Sequence, residues 1–414
     1  MEGRKPARRI VSILLGNSLD HFDTVLYVLL APIMADTFFP NSVPTVQIIY
    51  MYTVFAGSSF VRPVGSLFFG WLAKSYGPAR ALRYSLIGIS SATFLIGVLP
   101  GYFAIGYFSP IFLIILRAMQ GIFSAGESAV AKFFIMEDVG DRSARKAAYL
   151  YEFSTMSGII LGSFISMKAA LYSREIYVDI WRFCFLAGGI IGFLILSLRG
   201  FQVKNKRPFS SERNKKSSVF LIKKGLVNHR KQVFFCAILY AFSYSTYALS
   251  FVFINTLVPL VTNISYQSML AWNTKLLLFD LVLIPIVGTL SLRGSPIKIM
   301  SISTLILGLF LPASFFFLEG ANIFYITFIR IVIIIVGVVF STQINFYFSK
   351  KFSSENKYIF LSLANALGTS FLGKTMPAIC MFLWYWSGSI ITSVLVPSFL
   401  SFLSFYLLWV KKFK

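Results

Sequence analysis

Two carboxylates and a histidine interrupt the first apolar segment of the chain, in the stretch GNSLDHFD at residues 16–23. Asp20, His21 and Asp23 can all take up or release a proton, yet apolar residues flank them on both sides. A charge in hydrocarbon costs about 2.5–3.5 kcal/mol even on insertion scales, so it indicates a partner, an aqueous cavity or a proton relay. At about 100° per residue, Asn17, Asp20 and His21 share one helical stripe, and Asp23 lies at its edge.

A second polar stripe occupies the fourth apolar segment, where Arg117, Gln120 and Glu127 recur at helical spacing. Asp20 and Arg117 each lie roughly ten residues from opposite ends of antiparallel helices, so at 1.5 Å per residue both are near the middle of a bilayer. We therefore expect the two stripes to meet. The charges then act as a proton relay or solute contact, or they form a static buried pair that sets helix register. Both interpretations stay open.

Other charged residues lie inside apolar segments and form a secondary group of candidates. Glu152 lies in the fifth segment and has the same two interpretations, whereas Arg62, beside Pro63, is interpreted as structural. In the second half of the chain, Asp280 and Arg330 are candidates for an ion pair. The cations in these segments outnumber the anions, which favours an anionic or zwitterionic ligand.

The elements that position these residues are predicted to be membrane helices. The chain is 57% hydrophobic and only 13% charged, whereas soluble domains keep about 25% charged residues. Apolar runs of about 20 residues recur from end to end, as in integral membrane proteins. We predict an all-α membrane protein with about twelve spans, at 10–34, 47–73, 80–100, 107–135, 146–170, 181–200, 230–258, 267–292, 297–318, 321–348, 356–384 and 387–410.

One polar, basic segment divides the predicted spans into six and six. We predict a six-helix membrane bundle at 1–200, a basic cytoplasmic linker at 201–230 and a second six-helix bundle at 231–414. The net charge is +23, and most of the Lys and Arg residues lie in loops on one predicted side of the membrane. By the positive-inside rule that side is the cytoplasm, and both termini are predicted to lie there. The excess of basic residues is thus explained by topology next to anionic lipid, and nucleic acid is not a predicted partner.

The sequence indicates neither an enzyme nor a cofactor. The three cysteines lack CxxC spacing, so no metal site and no disulfide framework is predicted. Residues 368–375, GTSFLGKT, satisfy the P-loop pattern, but they lie within one long apolar segment. A P-loop requires a preceding strand and a helix N-terminus that meets phosphate in water. We interpret the segment as a helix contact, and nucleotide binding by the purified protein would test the ATP-driven alternative.

Several ordered motifs resemble the metabolite:proton symporter branch of the major facilitator superfamily, which includes proline/betaine and dicarboxylate permeases. The first span resembles its GN-x-x-[E/D]-x-F-D motif, and RPVGSLFFGWLAKSYG at 62–77 resembles its RPxGxxxFGxxxDxxG segment. The resemblance spans residues 10–200 and includes four shorter motifs: RxxQG at 117–121, GE at 126–127, YEF at 151–153 and WR at 181–182.

The resemblance implies a fold of two pseudo-symmetric six-helix bundles around a central site, with alternating access and proton-coupled uptake of a small organic solute. It implies that Asp20, Asp23, Arg117 and Glu127 lie in the substrate and proton region. The predicted pathway also includes Gln120 and Glu152, with Asn17, His21, Arg62, Asp280 and Arg330 as secondary candidates. The predicted partners are a small solute, protons and the lipid of a bacterial inner membrane, and we expect a monomer.

The loop after the second span departs from the family pattern. Gly70 and Gly77 are kept, but Lys74 stands where the family has an aspartate that helps to latch one state. Ser75 and Pro78 also replace basic residues, and His21 stands where tryptophan is usual. A different gate, a shifted substrate and a degenerate carrier all stay open. The alternative functions are therefore an exchanger or exporter on the same fold, or a membrane receptor or scaffold that does not transport.

Overall fold

Helices make up every regular element in the part of the chain that the structure describes. The structure is a computed structural model, and it describes residues 4–136, 140–176, 179–200, 229–264, 266–291, 294–351 and 357–412. Its first eight helices are α1 Arg4–Phe38, α2 Pro44–Phe60, α3 Arg62–Tyr76, α4 Pro78–Val98, α5 Tyr102–Ile105, α6 Phe108–Phe134, α7 Asp141–Ile176 and α8 Ile180–Gly200. The remaining helices are α9 Arg230–Ala248, α10 Ile254–Val261, α11 Tyr266–Leu290, α12 Pro296–Phe316, α13 Ile323–Lys351, α14 Lys357–Leu367, α15 Met376–Ser387 and α16 Leu395–Lys412.

Three short helical turns continue some of these helices into the next. A π-helical turn at Leu249–Phe253 joins α9 to α10, and a second one at Gly368–Gly373 follows α14. A 3-10 turn at Ile391–Val394 leads directly into α16. Because the turn at Leu249–Phe253 does not interrupt the helix, α9 and α10 form one continuous candidate span, Arg230–Val261. This span is close to the predicted seventh span.

Ten helical segments of the described chain are long and apolar enough to cross a membrane. The α2–α3 pair and α7 lie outside those ten, and they occupy the second and fifth predicted spans. The second predicted span, 47–73, is not one helix, because α2 ends at Phe60 and α3 begins at Arg62. Pro63 lacks the N–H that would continue the hydrogen bonding of α2, so a new helix starts there.

Contacts between Cα atoms divide the chain into two units. Unit 1 comprises Met1–Ile135, Ser154–Ser218 and Ser354–Ser362, and unit 2 comprises Met136–Phe153, Val219–Ser353 and Leu363–Lys414. The first part of α7 is therefore counted with unit 2 and the rest of the helix with unit 1. The predicted linker at 201–230 lies outside the described residues, apart from its last two positions.

Small residues set the closest helix contacts of unit 1. A Cβ at Gly158 of α7 would lie 2.1 Å from the Ser18 carbonyl oxygen of α1, and one at Gly192 of α8 would lie 2.1 Å from the Ser90 hydroxyl of α4. Lipid tails are as apolar as leucine, so membrane helices associate through close packing and hydrogen bonds. These glycines allow α1 to approach α7, and they allow α4 to approach α8.

The buried face of α1 completes this packing. Leu19, Leu26 and Leu30 recur at helical spacing and are all buried. Trp181 of α8 lies in the same cluster, with its ring centroid 5.8 Å from that of Phe38 at the end of α1. This framework holds the polar face of α1 against α4, α6 and α7.

Candidate functional site

The Asp23 carboxylate is the centre of a hydrogen-bonded network buried inside unit 1. Its Oδ1 accepts a hydrogen bond from Thr93 Oγ1 at 3.0 Å, and its Oδ2 accepts one from Gln120 Nε2 at 2.7 Å. Gln120 Nε2 also donates to Thr93 Oγ1 at 2.9 Å. Asp23 is only 3% exposed, so these donors replace the water that an ionised carboxylate loses on burial. Three helices, α1, α4 and α6, supply this network.

Arg117 balances the charge of Asp23. Its Nη1 lies 3.9 Å from Asp23 Oδ2 and donates to Gln120 Oε1 at 2.5 Å. The guanidinium carbon lies 4.0 Å from the ring centroid of Tyr27 and 5.6 Å from that of Phe55, within the range of cation–π attraction. Gln120 therefore bridges the two ions, and the aromatic rings fix the position of the arginine.

The two polar stripes meet, as the sequence predicts, but through a different carboxylate. The ion pair that the described residues show for Arg117 is with Asp23, which the helical wheel places at the edge of the stripe. Asp20 is also buried, and its backbone carbonyl accepts a hydrogen bond from the Thr24 hydroxyl at 2.9 Å. His21 is half-buried. A helical-wheel projection considers one helix by itself. The packing of the neighbouring helix determines which edge of the polar stripe is in contact with that helix.

Asn17 joins α1 to the part of α7 that belongs to unit 1. Its Nδ2 donates to Ser154 Oγ and to Thr155 Oγ1, both at 2.8 Å. Ser18 Oγ donates to the Ser154 backbone carbonyl at 2.6 Å. These bonds lie one turn from the close contact at Gly158, and they hold the first polar stripe at a defined depth.

Glu127 belongs to a separate polar group further along α6. It is fully buried, and Ser85 Oγ of α4 donates to its Oε2 at 3.1 Å. Ten residues separate Arg117 from Glu127, which is roughly 15 Å along a helix. Near Glu127, Arg62 Nη2 of α3 donates to Ser128 Oγ at 3.3 Å, so Arg62 ties α3 to α6.

Glu152 lies in the part of α7 that is counted with unit 2. Its Oε1 accepts a hydrogen bond from Asn345 Nδ2 of α13 at 2.7 Å, and Tyr240 of α9 donates to Asn345 Oδ1 at 3.5 Å. Glu152 therefore lies in a different unit from the Asp23 network. Asn345 was not among the predicted site residues. Its signal in the sequence is the polar run STQIN at 341–345 within a strongly apolar helix.

The ion pair suggested for Asp280 and Arg330 does not form. Arg330 Nη2 donates instead to Asn273 Oδ1, and Asp280 Oδ1 is buried without a hydrogen-bond partner among the described residues. Asn273 and Asp280 are seven residues apart on α11, which is roughly 10 Å along the helix axis. Arg330 is thus at the depth of Asn273, and opposite charge alone does not bring it to Asp280.

The loop after α3 keeps its two glycines for different reasons. A Cβ at Gly70 would lie 2.9 Å from the Ile359 Cα of α14, so only glycine allows this approach within unit 1. Gly77 has φ +93°, a conformation that side chains strongly disfavour. Lys74 is half-buried in the last turn of α3, where a cation is favoured by the helix dipole.

A polar cluster that the sequence did not reveal holds the start of α7 within unit 2. Lys350 Nζ lies 2.5 Å from Asp141 Oδ1. Arg145 Nη1 donates to the carbonyl oxygens of Ser291 at 3.2 Å and Gly294 at 2.7 Å. The hydrogen bond and charge of Lys350 lower the pKa of Asp141, which precedes the predicted fifth span. The partners are far apart in sequence, so no local pattern links them.

The described residues contain no group of three or more His, Cys, Asp and Glu side chains that could hold a metal ion. The segment that matches the P-loop pattern forms the π-helical turn Gly368–Gly373 and continues into the helix that follows. A Cβ at Gly368 would lie 2.1 Å from the Ala237 carbonyl oxygen, so this glycine permits a close contact with α9.

Comparison with known proteins identifies relatives that transport small solutes. The chain is 31% identical over 197 residues to the proline/betaine transporter of Salmonella typhimurium, a match that covers 47% of this chain and 39% of that protein. It is 31% identical over 194 residues to the glycine betaine/proline/ectoine/pipecolic acid transporter OusA of Dickeya dadantii, covering 46% and 39%. The matches therefore span about two fifths of the length of these relatives.

Solved structures show the same fold over almost the whole chain. The proton:xylose symporter XylE superimposes with a TM-score of 0.75 at 14% identity, covering 99% of this chain and 96% of that one. The human organic anion transporter MFSD10 superimposes with a TM-score of 0.73 at 13% identity, covering 97% and 99%. The predicted membrane fold of about twelve helices is confirmed. The sequence model of the Major Facilitator Superfamily matches residues 13–373, and the chain belongs to that family.

Proposed function

We propose that the protein is a secondary transporter that couples proton entry to the uptake of a small zwitterionic or anionic solute. The observation that carries the proposal is the buried network of Asp23, Gln120 and Arg117, three polar side chains near the middle of two membrane helices. Such charges are costly in hydrocarbon and are typical of substrate and ion pathways. The transporters that the chain resembles are named for proline and betaine. Both compounds are zwitterions, which supports a zwitterionic solute.

The network can change when a proton arrives. Ionised Asp23 accepts hydrogen bonds and offsets the charge of Arg117, whereas protonated Asp23 no longer attracts the guanidinium. Gln120 and Arg117 are then available to a solute. In the proposed cycle, Asp20, Asp23 and Glu127 are the candidate proton carriers, and Arg117, Gln120 and Glu152 are the candidate solute contacts. Release of the proton and the solute on the other side restores the ion pair.

Alternating access is proposed to exchange the two sides of the membrane by movement of two bundles, at 1–200 and 231–414, joined by the linker at 201–230. The distribution of basic residues supports cytoplasmic termini, and the bacterial relatives support an inner membrane. The proposed working unit is a monomer that needs no cofactor.

Uptake into proteoliposomes tests the proposal. Labelled proline, glycine betaine and 2-oxoglutarate are supplied under an inward proton gradient, with and without a protonophore. We expect accumulation of one of them that the protonophore abolishes. Asp20→Asn and Asp23→Asn are each expected to abolish accumulation. Asp36→Asn is the matched control, because Asp36 lies on the same helix but bonds to Gln47 near its end. Concentrative uptake by both carboxylate variants would refute the proton role of Asp20 and Asp23.

Lys74 favours a second candidate function. It replaces the acid that helps to latch one state in the family, so the protein is alternatively an exchanger or exporter, or a receptor or scaffold that binds a solute without carrying it. Counterflow separates these classes. Vesicles preloaded with unlabelled solute take up labelled solute through a symporter or an exchanger, and a receptor shows no such exchange. Dependence on a preloaded counter-substrate without any effect of the protonophore would identify an exchanger.

A further inference from the structure

Arg330 of α13 is a buried cation without a matching anion among the residues that the structure describes. It is 1% exposed, and its Nη2 donates to the neutral side chain of Asn273 on α11. Its Nε and Nη1 have no hydrogen-bond partner in the described chain, and none of the ion pairs found among the described residues involves it. A guanidinium stays charged in proteins and carries five N–H donors. The structure thus buries a full positive charge whose donors are mostly unused.

Arg117 of unit 1 makes the contrast clear. Arg117 and Arg330 each lie roughly two to three turns from the first residue of α6 and α13. These helices are the fourth and tenth predicted spans, which are equivalent in a six-plus-six repeat. Arg117 has the Asp23 carboxylate at 3.9 Å, whereas Arg330 has an amide at the corresponding place. Of these two arginines, only Arg117 forms an ion pair with a described carboxylate.

The surroundings of Arg330 are buried and partly aromatic. The ring centroid of Phe251 lies 6.0 Å from its guanidinium carbon, and Phe251 is itself buried. Phe251 belongs to the π-helical turn Leu249–Phe253, and such turns occur frequently at functional sites. A ring at this distance attracts a cation only weakly. It positions the arginine but does not replace an anion.

We propose that Arg330, Asn273 and Phe251 form a carboxylate-binding site in unit 2, which holds the acidic group of the solute. The inference rests on the proposed function and changes one part of it, because it assigns the anionic end of the solute to Arg330 instead of Arg117. Asn273 orients the guanidinium through Nη2. A bound carboxylate accepts charge-assisted hydrogen bonds from the remaining donors and neutralises the buried charge.

Equilibrium binding tests this site without any transport step. The purified full chain in lipid nanodiscs is heated with pairs of probes that differ in the carboxylate: glycine betaine against choline, and proline against prolinol, with chloride as an inorganic anion. We expect a concentration-dependent rise of the unfolding midpoint with a carboxylate member only. Arg330→Gln is expected to weaken the apparent affinity for it about 10- to 100-fold, the loss that corresponds to hydrogen bonds with a charged group.

Two further variants make the test independent of folding defects. Asn273→Asp places a carboxylate beside Arg330, so the buried charge is neutralised within the protein and external carboxylates are expected to lose their effect. Lys275→Gln is the matched control, because Lys275 is an exposed cation on α11, the helix that carries Asn273. Its Nζ lies 4.5 Å from the centroid of the Trp272 ring. We expect it to bind as the unmodified protein does.

The outcomes separate this inference from the proposed function. Carboxylate-dependent stabilisation that Asn273→Asp and Arg330→Gln remove, in protein that shows no proton-driven uptake, supports the site and contradicts symport. Proton-driven uptake with unchanged carboxylate binding in both variants supports symport and refutes the site. Equal stabilisation by both members of each pair, equal stabilisation by chloride, or none by any carboxylate also refutes it.

Discussion

The guanidinium of Arg117 lies 3.9 Å from the carboxylate of Asp23, and Gln120 bonds to both groups. All three side chains are almost fully buried. A buried pair of this kind contributes little net stability compared with apolar residues of the same size, but loss of one partner leaves an uncompensated charge. The pair therefore stabilises the arrangement of α1 and α6 only while both ions are present.

Asp23→Asn and Arg117→Gln are each expected to destabilise the protein by about 3–5 kcal/mol, because each leaves one buried charge unpaired. The double variant is expected to cost less than the sum of the two. A double-mutant cycle measured by unfolding in detergent checks this, and additive costs would argue against the pair. Uptake by the same proteins distinguishes the two interpretations of the site. A double variant that regains proton-driven uptake supports a static pair, and one that stays inactive supports a relay.

Glu127 is expected to be held by a charge-assisted hydrogen bond from Ser85. Ser85→Ala removes this donor and is expected to cost about 1–3 kcal/mol of unfolding free energy while Glu127 is ionised. In the Glu127→Gln background the same change is expected to cost less, because a neutral acceptor is easier to leave unpaired. Equal costs of Ser85→Ala in the two backgrounds, measured by the same unfolding assay, would indicate that Ser85 donates to the Leu82 carbonyl oxygen, 3.0 Å from its Oγ, and not to Glu127.

Gly77→Ala is expected to destabilise the protein by about 1–3 kcal/mol, because φ +93° is a strained conformation for any residue with a Cβ. Gly57→Ala is the control. Gly57 lies inside α2, and an added Cβ there would meet nothing within 4 Å, so alanine is expected to be neutral or stabilising by up to about 1 kcal/mol. The unfolding midpoints of the two variants in detergent check the prediction. A smaller loss for Gly77→Ala than for Gly57→Ala would contradict it.

The Asp141–Lys350 pair is expected to contribute stability that depends on pH. Lys350 lowers the pKa of Asp141 below its unfolded value of about 3.9. The contribution is therefore fully present above the unfolded pKa and is lost as the pH falls through the folded pKa. Both side chains are at least half exposed, so the effect is small.

Asp141→Asn is the variant that measures this contribution. We expect the stability difference between the unmodified protein and Asp141→Asn to be present at pH 7 and to vanish in acid. It should also shrink in 1 M salt, because exposed charges are then screened within about 3 Å. A difference that is the same at pH 7 and below the folded pKa of Asp141 would show that the pair is not its source.

Helix content and polar stripes could be predicted from the sequence, because both depend on local periodicity. Apolar runs of span length and the 3.6-residue repeat require only neighbouring residues. The contact between α1 and α6 could be predicted because both polar stripes lie near the middle of the membrane. Polar side chains at that depth are more stable against each other than against hydrocarbon. The break between α2 and α3 also had a local signal in Pro63, although a single span was predicted there.

Partner choice came only from the tertiary structure. Arg117 forms an ion pair with Asp23, from the edge of the predicted stripe, and Arg330 bonds to Asn273 and not to Asp280. Such pairings depend on the rotation and depth of one helix against another, and side chains over the whole contact set these. Thr93 and Asn345 were not predicted, because both side chains are uncharged. Each belongs to the site through the carboxylate to which it donates, and that contact is visible only in the tertiary structure.

The sequence by itself therefore determined a helical membrane chain with charges at mid-depth, since the energy of placing each residue in hydrocarbon is a property of that residue and its neighbours. Only the tertiary structure decided which charges are balanced. Asp23 and Arg117 neutralise each other, whereas Arg330 donates to the neutral amide of Asn273 and pairs with no carboxylate in the described part of the chain. Electrostatic balance is a property of pairs of atoms within a few ångströms, and residues that form such pairs lie on helices far apart along the chain.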